Sequence, residues 1–222
     1  MRFVLASASP ARLAVLRAAG IEPSVIVSGV DEEAVAAGLP DPSPSELVTA
    51  LAMAKADAVA RSADLAAITH GSHAEAHEGA EDAVVVGCDS MLAIGGEVVG
   101  KPATAEVARA RWAAMAGGTG ELLTGHAVVR VSDGETVGVA SGTQSTTVRF
   151  ASPTEAELEA YLRSGEPLAV AGAFTLDGLG GWFVEGVDGD PSSVIGISLP
   201  LTRRLLAEVG VSVVDLWRDG EG

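Results

Sequence analysis

Short apolar runs punctuated by Gly, Pro and Ser divide this chain into alternating strands and helices. Residues 2–6 form an apolar strand that runs into Ser7-Ala8-Ser9, and residues 10–19 follow as a helix ended by Gly20. The chain therefore opens on a strand–loop–helix unit. Residues 22–28 read as a second strand, with the three carboxylates of Asp31, Glu32 and Glu33 just past its end. A strong helix starts at Ser43, with Pro44 in its first turn and Glu46 completing a capping box. Leu47, Leu51, Ala54 and Ala58 are spaced along one face of it, and Lys55 lies one step from that face.

From residue 64 to 82 the periodicity dissolves into a Gly-, Ala-, His- and Glu-rich stretch, which reads as a flexible insertion that a ligand could order. The apolar run at 84–86 predicts a buried strand ending in Gly87-Cys88-Asp89-Ser90, and 91–94 continues to a Gly95-Gly96 turn followed by 97–100. Lys101-Pro102 leads into a helix capped by Thr104 and closed by Gly117-Gly118. Two long strands, near 121–131 and 136–150, flank the hairpin signal Ser132-Asp133-Gly134. A helix then runs from Ser152-Pro153 to Arg163. The glycine-rich segment 170–197 suits backbone wrapped closely around a ligand. A helix at 201–209 and an apolar strand at 211–216 complete the pattern. There is no internal repeat and no convincing linker, so a single domain is expected over residues 1–222.

Composition narrows the chemistry. With 222 residues and 48% hydrophobic content the chain can bury a sizeable core, although aromatics reach only 4% and packing must rely on small side chains. A net charge of −16 argues against binding nucleic acid or an anionic membrane through a general basic field. Any bound anion must then be held by local cations or a metal. Cys88 is the single cysteine, which excludes an internal disulfide and fits a reducing compartment. Neither a signal-peptide pattern nor a membrane-length apolar run is present, so a soluble, cytoplasmic protein is expected.

Three Ser-Pro helix starts differ in one telling position. Ser43-Pro44-Ser45-Glu46 and Ser152-Pro153-Thr154-Glu155 place a glutamate third in the helix, where it complements the helix dipole. Ser9-Pro10-Ala11-Arg12 places an arginine there. That makes sense if a phosphate or carboxylate occupies the space above the free amides; the plainer reading is an ordinary cap beside a solvated arginine. Asp89 stands at a strand end, where α/β enzymes present catalytic carboxylates, yet a turn aspartate would look the same. Lys101 alone would be a surface lysine. Arg12, Lys55 and Lys101 together, with Glu32 and Asp89, supply the cations and paired acids that polyphosphate hydrolysis needs.

Other motifs fall away. His70, His73 and His77 have metal-like spacing but no element to fix them, which favours adventitious affinity over a zinc site. Cys88 has no local His partner and reads as a small apolar filler. No Walker A motif or dinucleotide fingerprint follows a strand.

The run Leu5-Ala6-Ser7-Ala8-Ser9-Pro10-Ala11-Arg12, the Val30-Asp31-Glu32 turn, Lys55, Gly87-Cys88-Asp89-Ser90 and Gly100-Lys101-Pro102 resemble the Maf family. So do Ala171-Gly172-Ala173-Phe174 and the run from Val194 to Pro200, in the right order over nearly the whole chain. The resemblance implies an α/β fold with a mixed, strongly twisted sheet flanked by helices, similar to the inosine triphosphatases. It implies a nucleoside triphosphate pyrophosphatase that cuts between the α and β phosphates with Mg²⁺, Mn²⁺ or Co²⁺, a link to septum formation, and a homodimer. Carried over by position, Asp89 becomes the catalytic acid group, the base that activates water or a ligand of its metal, Glu32 a metal-binding or second catalytic carboxylate, and Lys101 a catalytic and phosphate-holding cation. Arg12 and Lys55 would hold the triphosphate, with Ser9 and the helix amides completing the cradle.

Base preference rests on three positions where this chain has Ala11, Ser90 and Asp177. The subgroup acting on dTTP and UTP carries Arg, Thr and Gln there. Asp177 leans instead toward the subgroup acting on 7-methyl-GTP while Ala11 and Ser90 do not, so the base preference stays open; a carboxylate can accept from a guanine edge or face a cationic base, and it also fits a plain turn before Gly178. Two other functional readings remain at this point. One is a nucleotide-binding regulator of septum formation with little hydrolysis, and the other a phosphatase of small phosphorylated metabolites.

Overall fold

The computed structural model of the chain describes residues 1–69 and 82–217. Its elements are β1 (Arg2–Leu5), α1 (Pro10–Ala18), β2 (Ser24–Val25), α2 (Glu32–Ala37), α3 (Pro44–Ala60), α4 (Ala63–Thr69), β3 (Ala83–Ile94), β4 (Glu97–Val99) and α5 (Ala105–Met115). There follow β5 (Thr119–Ser132), β6 (Glu135–Phe150), α6 (Glu155–Arg163), β7 (Val184–Asp188), α7 (Pro191–Ile195) and α8 (Leu199–Glu208). The strand order is β2-β1-β3-β5-β6-β7, with β4 pairing β3. β1 runs parallel to both its neighbours, Val4 lying opposite Ser24 and Val85, whereas β3–β4 and β6–β7 are antiparallel. This is the mixed α/β class that the resemblance implies. Among the described residues no helix is long and apolar enough to cross a membrane.

The chain divides into two compact units. The first comprises Met1–Asp89, Gly125–Thr143 and Leu199–Gly222, and the second Ser90–Thr124 and Gln144–Ser198. In the first, Val4, Ala6, Val85, Ala127 and Val129 of the sheet pack against Ala52, Ala56 and Val59 of α3. Small residues are required at this contact. A Cβ on Gly87 would stand 2.3 Å from the Ala52 carbonyl oxygen, and one on Gly125 2.1 Å from that of Val48, so helix backbone lies directly on strand backbone. In the second unit, Trp112 makes edge-on contacts with Phe150, Tyr161 and Phe183 at 5.8–6.0 Å between ring centres, and its indole nitrogen donates to the Ala173 carbonyl at 2.8 Å. Most of the chain's few aromatic side chains are gathered there.

Several expectations need correction. Glu32 and Glu33 belong to α2, a helix that the sequence pattern does not announce and that the Asp31 carboxylate caps by accepting from Ala34 N at 3.0 Å. Residues 64–69 of the expected insertion belong to α4, with the Ser62 hydroxyl accepting from Leu65 N. Residues 70–81, with His70, His73 and His77, lie outside the described residues. The third Ser-Pro site does not cap its helix. Thr154 does, since Thr154 and Glu157 form a reciprocal capping box one step further on. The expected strand at 22–28 reduces to β2, and 211–216 is closed by the 3-10 turn Val213–Leu216, whose backbone bonds are local. Finally, β3 continues without interruption through Asp89 to Ile94, so Asp89 lies within a strand and not at its end.

Candidate active site

The loop after β1 folds around Ser7. Its hydroxyl oxygen accepts from Ser9 N at 3.2 Å and from Arg12 Nη1 at 3.1 Å. Ser9 caps α1, its hydroxyl accepting from Arg12 N at 3.4 Å, and the first turn of α1 carries no acid. The cation at the helix start is thereby tied back to the loop that leads into α1, near the positive end of the helix dipole.

Lys55 enters from α3. The buried face of that helix is Val48, Leu51, Ala52, Lys55, Ala56 and Val59, so Lys55 lies on the apolar stripe itself and not one step from it. An ammonium in such a place must be paired. Asp89 meets it from the face of β3 that carries Val85 and Gly87: Lys55 Nζ donates to Asp89 Oδ1 at 2.6 Å, and each side chain is only 11% exposed. Glu32, in the first turn of α2, places Oε1 2.7 Å from the same nitrogen and is 55% exposed. The energetic weight falls on the buried pair, because exposed ion pairs contribute at most about 1 kcal/mol.

Burial pushes the Asp89 carboxyl above the usual aspartate range, an effect that Lys55 and then Arg12 oppose and that Glu32 reinforces. The electrostatics thus tie four of the predicted residues together. Burial likewise pushes the Cys88 thiol up to about 11, which keeps it protonated and inert, as an apolar filler should be.

The donor set fits a hard divalent cation. Two carboxylates converge on one positive centre, and magnesium-like ions are typically held by one or two carboxylates with phosphate and water completing the shell. Among the described residues there is no cluster of three or more His, Cys, Asp or Glu arranged to hold a metal by protein ligands alone.

Ser9, Arg12, Glu32, Lys55 and Asp89 are therefore assembled within the first unit. Ser90, Lys101 and Asp177 belong to the second. The Ser90 hydroxyl lies 3.0 Å from that of Thr124, which donates to the Ser193 carbonyl. Lys101 is exposed, and the Gly100 carbonyl before it accepts from Arg111 Nη1 at 2.5 Å and from Gly172 N at 3.1 Å. Asp177 is exposed on a loop gathered around Glu166. Sequence reasoning missed Arg111 and Glu166, since single charges without a motif carry no local signal. A cavity of about 490 Å³ in the second unit, lined by Pro153, Tyr161, Trp182 and Phe183 among others, contains none of the predicted residues.

Comparison with known proteins places these residues in a family context. Residues 2–209 match the model of the Maf family, described as Maf-like protein. The chain is 68% identical over 218 residues to the nucleoside triphosphate pyrophosphatase of Saccharopolyspora erythraea, covering 98% of this chain and 97% of that protein. Identity is 62% over 216 residues to proteins of the same name from Rhodococcus jostii and Nocardia farcinica, covering 97% of this chain and 95% and 96% of theirs.

Proposed function

This chain belongs to the Maf family, and on that premise we propose that it is a metal-dependent nucleoside triphosphate pyrophosphatase, releasing a nucleoside monophosphate and pyrophosphate. The observation that carries the reading is Asp89, buried on Lys55 with Glu32 at the same ammonium. Two acids on one cation are superfluous for a protein that only senses a nucleotide. They are useful for one that must activate water beside a polyanion.

In this reading Asp89 takes the proton of the attacking water. With no metal bound, burial raises its proton affinity above that of an exposed aspartate, the direction a base needs. Lys55 holds Asp89 and Glu32 at fixed separation and shields their mutual repulsion. Arg12, Ser9 and the first amides of α1 bind phosphate oxygens, and Lys101 neutralises charge that builds on the departing pyrophosphate. Glu32 and Asp89 would hold a Mg²⁺, Mn²⁺ or Co²⁺ ion, which when bound would supply further charge neutralisation on the phosphates. Ser90 and Asp177 are proposed as contacts that select the base. A cytoplasmic homodimer that clears non-standard nucleotides, with a link to cell-division arrest, completes the proposal.

The test is a panel of canonical and modified triphosphates with Mg²⁺ or Mn²⁺, scored separately for pyrophosphate and orthophosphate. Pyrophosphate release that Asp89→Asn abolishes supports the assignment. Orthophosphate release alone, binding without turnover, or near-normal turnover by the variant overturns it.

A further inference from the structure

The carboxylate of Glu166, in the 3-10 turn Glu166–Ala169, is the hub of the loop at residues 175–180. It accepts from Thr175 Oγ1 at 2.6 Å, from Leu179 N at 3.0 Å and from Gly180 N at 3.0 Å. Thr175 Oγ1 in turn accepts from Gly180 N at 3.1 Å, so the two ends of the loop are tied to each other and to one acid. The loop is too tight to admit side chains at its glycines. A Cβ on Gly178 would stand 2.7 Å from Glu166 Oε2, and one on Gly180 2.6 Å from Thr175 N. Burial works against the ionised form, yet these bonds hold the Glu166 carboxyl below the usual glutamate range.

A charged acceptor spent on three donors of one short loop fixes the loop's shape far more strictly than a neutral contact would. Asp177 is at the exposed centre of that loop, between the tied residues. We infer that Glu166 is a positioning residue for substrate discrimination: it holds the 175–180 loop in the one shape that presents the Asp177 carboxylate to the nucleobase. The inference rests on the proposed reading of Asp177 as a base contact. Glu166 itself touches no substrate.

The measurement is the ratio of kcat/KM for GTP and UTP in the wild type, Glu166→Gln, Thr175→Val, Asp177→Asn and the Glu166→Gln/Asp177→Asn double variant. Glu166→Gln keeps the size of the side chain but removes its charge, and is expected to shrink the wild-type ratio by about tenfold, through KM more than kcat. Thr175→Val should shift it in the same direction by less, and the double variant should match Asp177→Asn alone. Circular dichroism establishes that each variant is folded, and if Glu166→Gln is not, Thr175→Val decides. An unchanged ratio in the folded variants, or a wild type that hydrolyses both bases equally, overturns the inference while leaving the pyrophosphatase reading intact. No pyrophosphate from any triphosphate removes both.

Discussion

Lys55 Nζ and Asp89 Oδ1 stand 2.6 Å apart with nearly nine-tenths of each side chain withdrawn from solvent, two residues along β3 from Gly87, where the strand touches the α3 backbone. Neither charge is tolerable there without the other. Truncating one partner of such a pair costs roughly 3–5 kcal/mol, because the survivor is left desolvated and unpaired. Lys55→Met is expected to lose stability on that scale, and Lys55→Met/Asp89→Asn to regain most of it. Urea unfolding of the single and double variants measures this. A loss in the double variant equal to the sum of the Lys55→Met and Asp89→Asn losses would show that the pair is not coupled.

The same burial sets a pH dependence. Asp89 has its folded-state pKa raised, so between the unfolded and folded values the native state binds more protons than the unfolded one. Its contribution to stability is therefore full below the ordinary aspartate pKa and is lost as pH rises through the folded value. Lys55 opposes the rise, so Lys55→Gln should move the Asp89 titration further up. Carbon-13 carboxyl NMR of Asp89 follows both effects. A titration in the ordinary aspartate range, or a downward move in the variant, would contradict the geometry.

Gly87 makes the approach of α3 possible. Adding one methyl puts carbon 2.3 Å from the Ala52 carbonyl oxygen, which only a displacement of α3 can relieve. Overpacking of this kind typically costs about 1–3 kcal/mol. Because Lys55 rides on the displaced helix, Gly87→Ala should also lower kcat at temperatures where the protein is still folded. Thermal melting and steady-state kinetics below the transition separate the two effects. Full activity in the folded variant would show that the Lys55–Asp89 distance is not critical.

The α6 start offers a test of local reading. Ser152 precedes a proline and looks like the cap, but Thr154 and Glu157 exchange the bonds. Thr154→Ala should cost about 1 kcal/mol, and Ser152→Ala should lie within a few tenths of the wild type. Denaturant titration of both variants checks this, and the reverse order would restore Ser152 as the cap.

Where local chemistry dominates, the chain was legible. Ser9 and Ser43 cap α1 and α3 as their Ser-Pro starts predict, the long strands flank their hairpin signal, and Cys88 is buried. The candidate residues of the first unit were also legible, because charges in an Ala- and Gly-rich chain stand out. Their geometry was not. Helical spacing put Lys55 beside the apolar stripe, since a lysine counts as polar whatever it pairs with, and only the tertiary partner Asp89 turns that position inward. Asp89 looked like a strand end because Gly87 breaks the apolar run, whereas that glycine marks helix contact and not a turn. Glu166 left no signal at all, its three donors being brought to it by the fold of the loop and not by any spacing.

Arg12 provides the sharpest separation of stability from function. It occupies the third helical position of α1, where α3 and α6 carry the glutamate of a capping box, and its guanidinium donates to Ser7 across the helix start. For α1 in isolation the arginine is the wrong charge at the positive end of the dipole. Arg12→Glu would complete a box with Ser9 and is worth roughly 0.3–1 kcal/mol from the dipole alone, while it removes the bond to Ser7 and the cation that opposes the desolvation of Asp89, so the effects offset and the melting temperature should change little. The same change places an anion where a phosphate oxygen is proposed to sit, and should raise KM for any triphosphate by more than an order of magnitude, about the loss of one charge-assisted contact. Calorimetry and kinetics on one variant read both outcomes. A stable protein with unchanged KM would remove Arg12 from the phosphate site, whereas a stable protein that no longer binds would show that this helix start is shaped for its ligand at the expense of the helix.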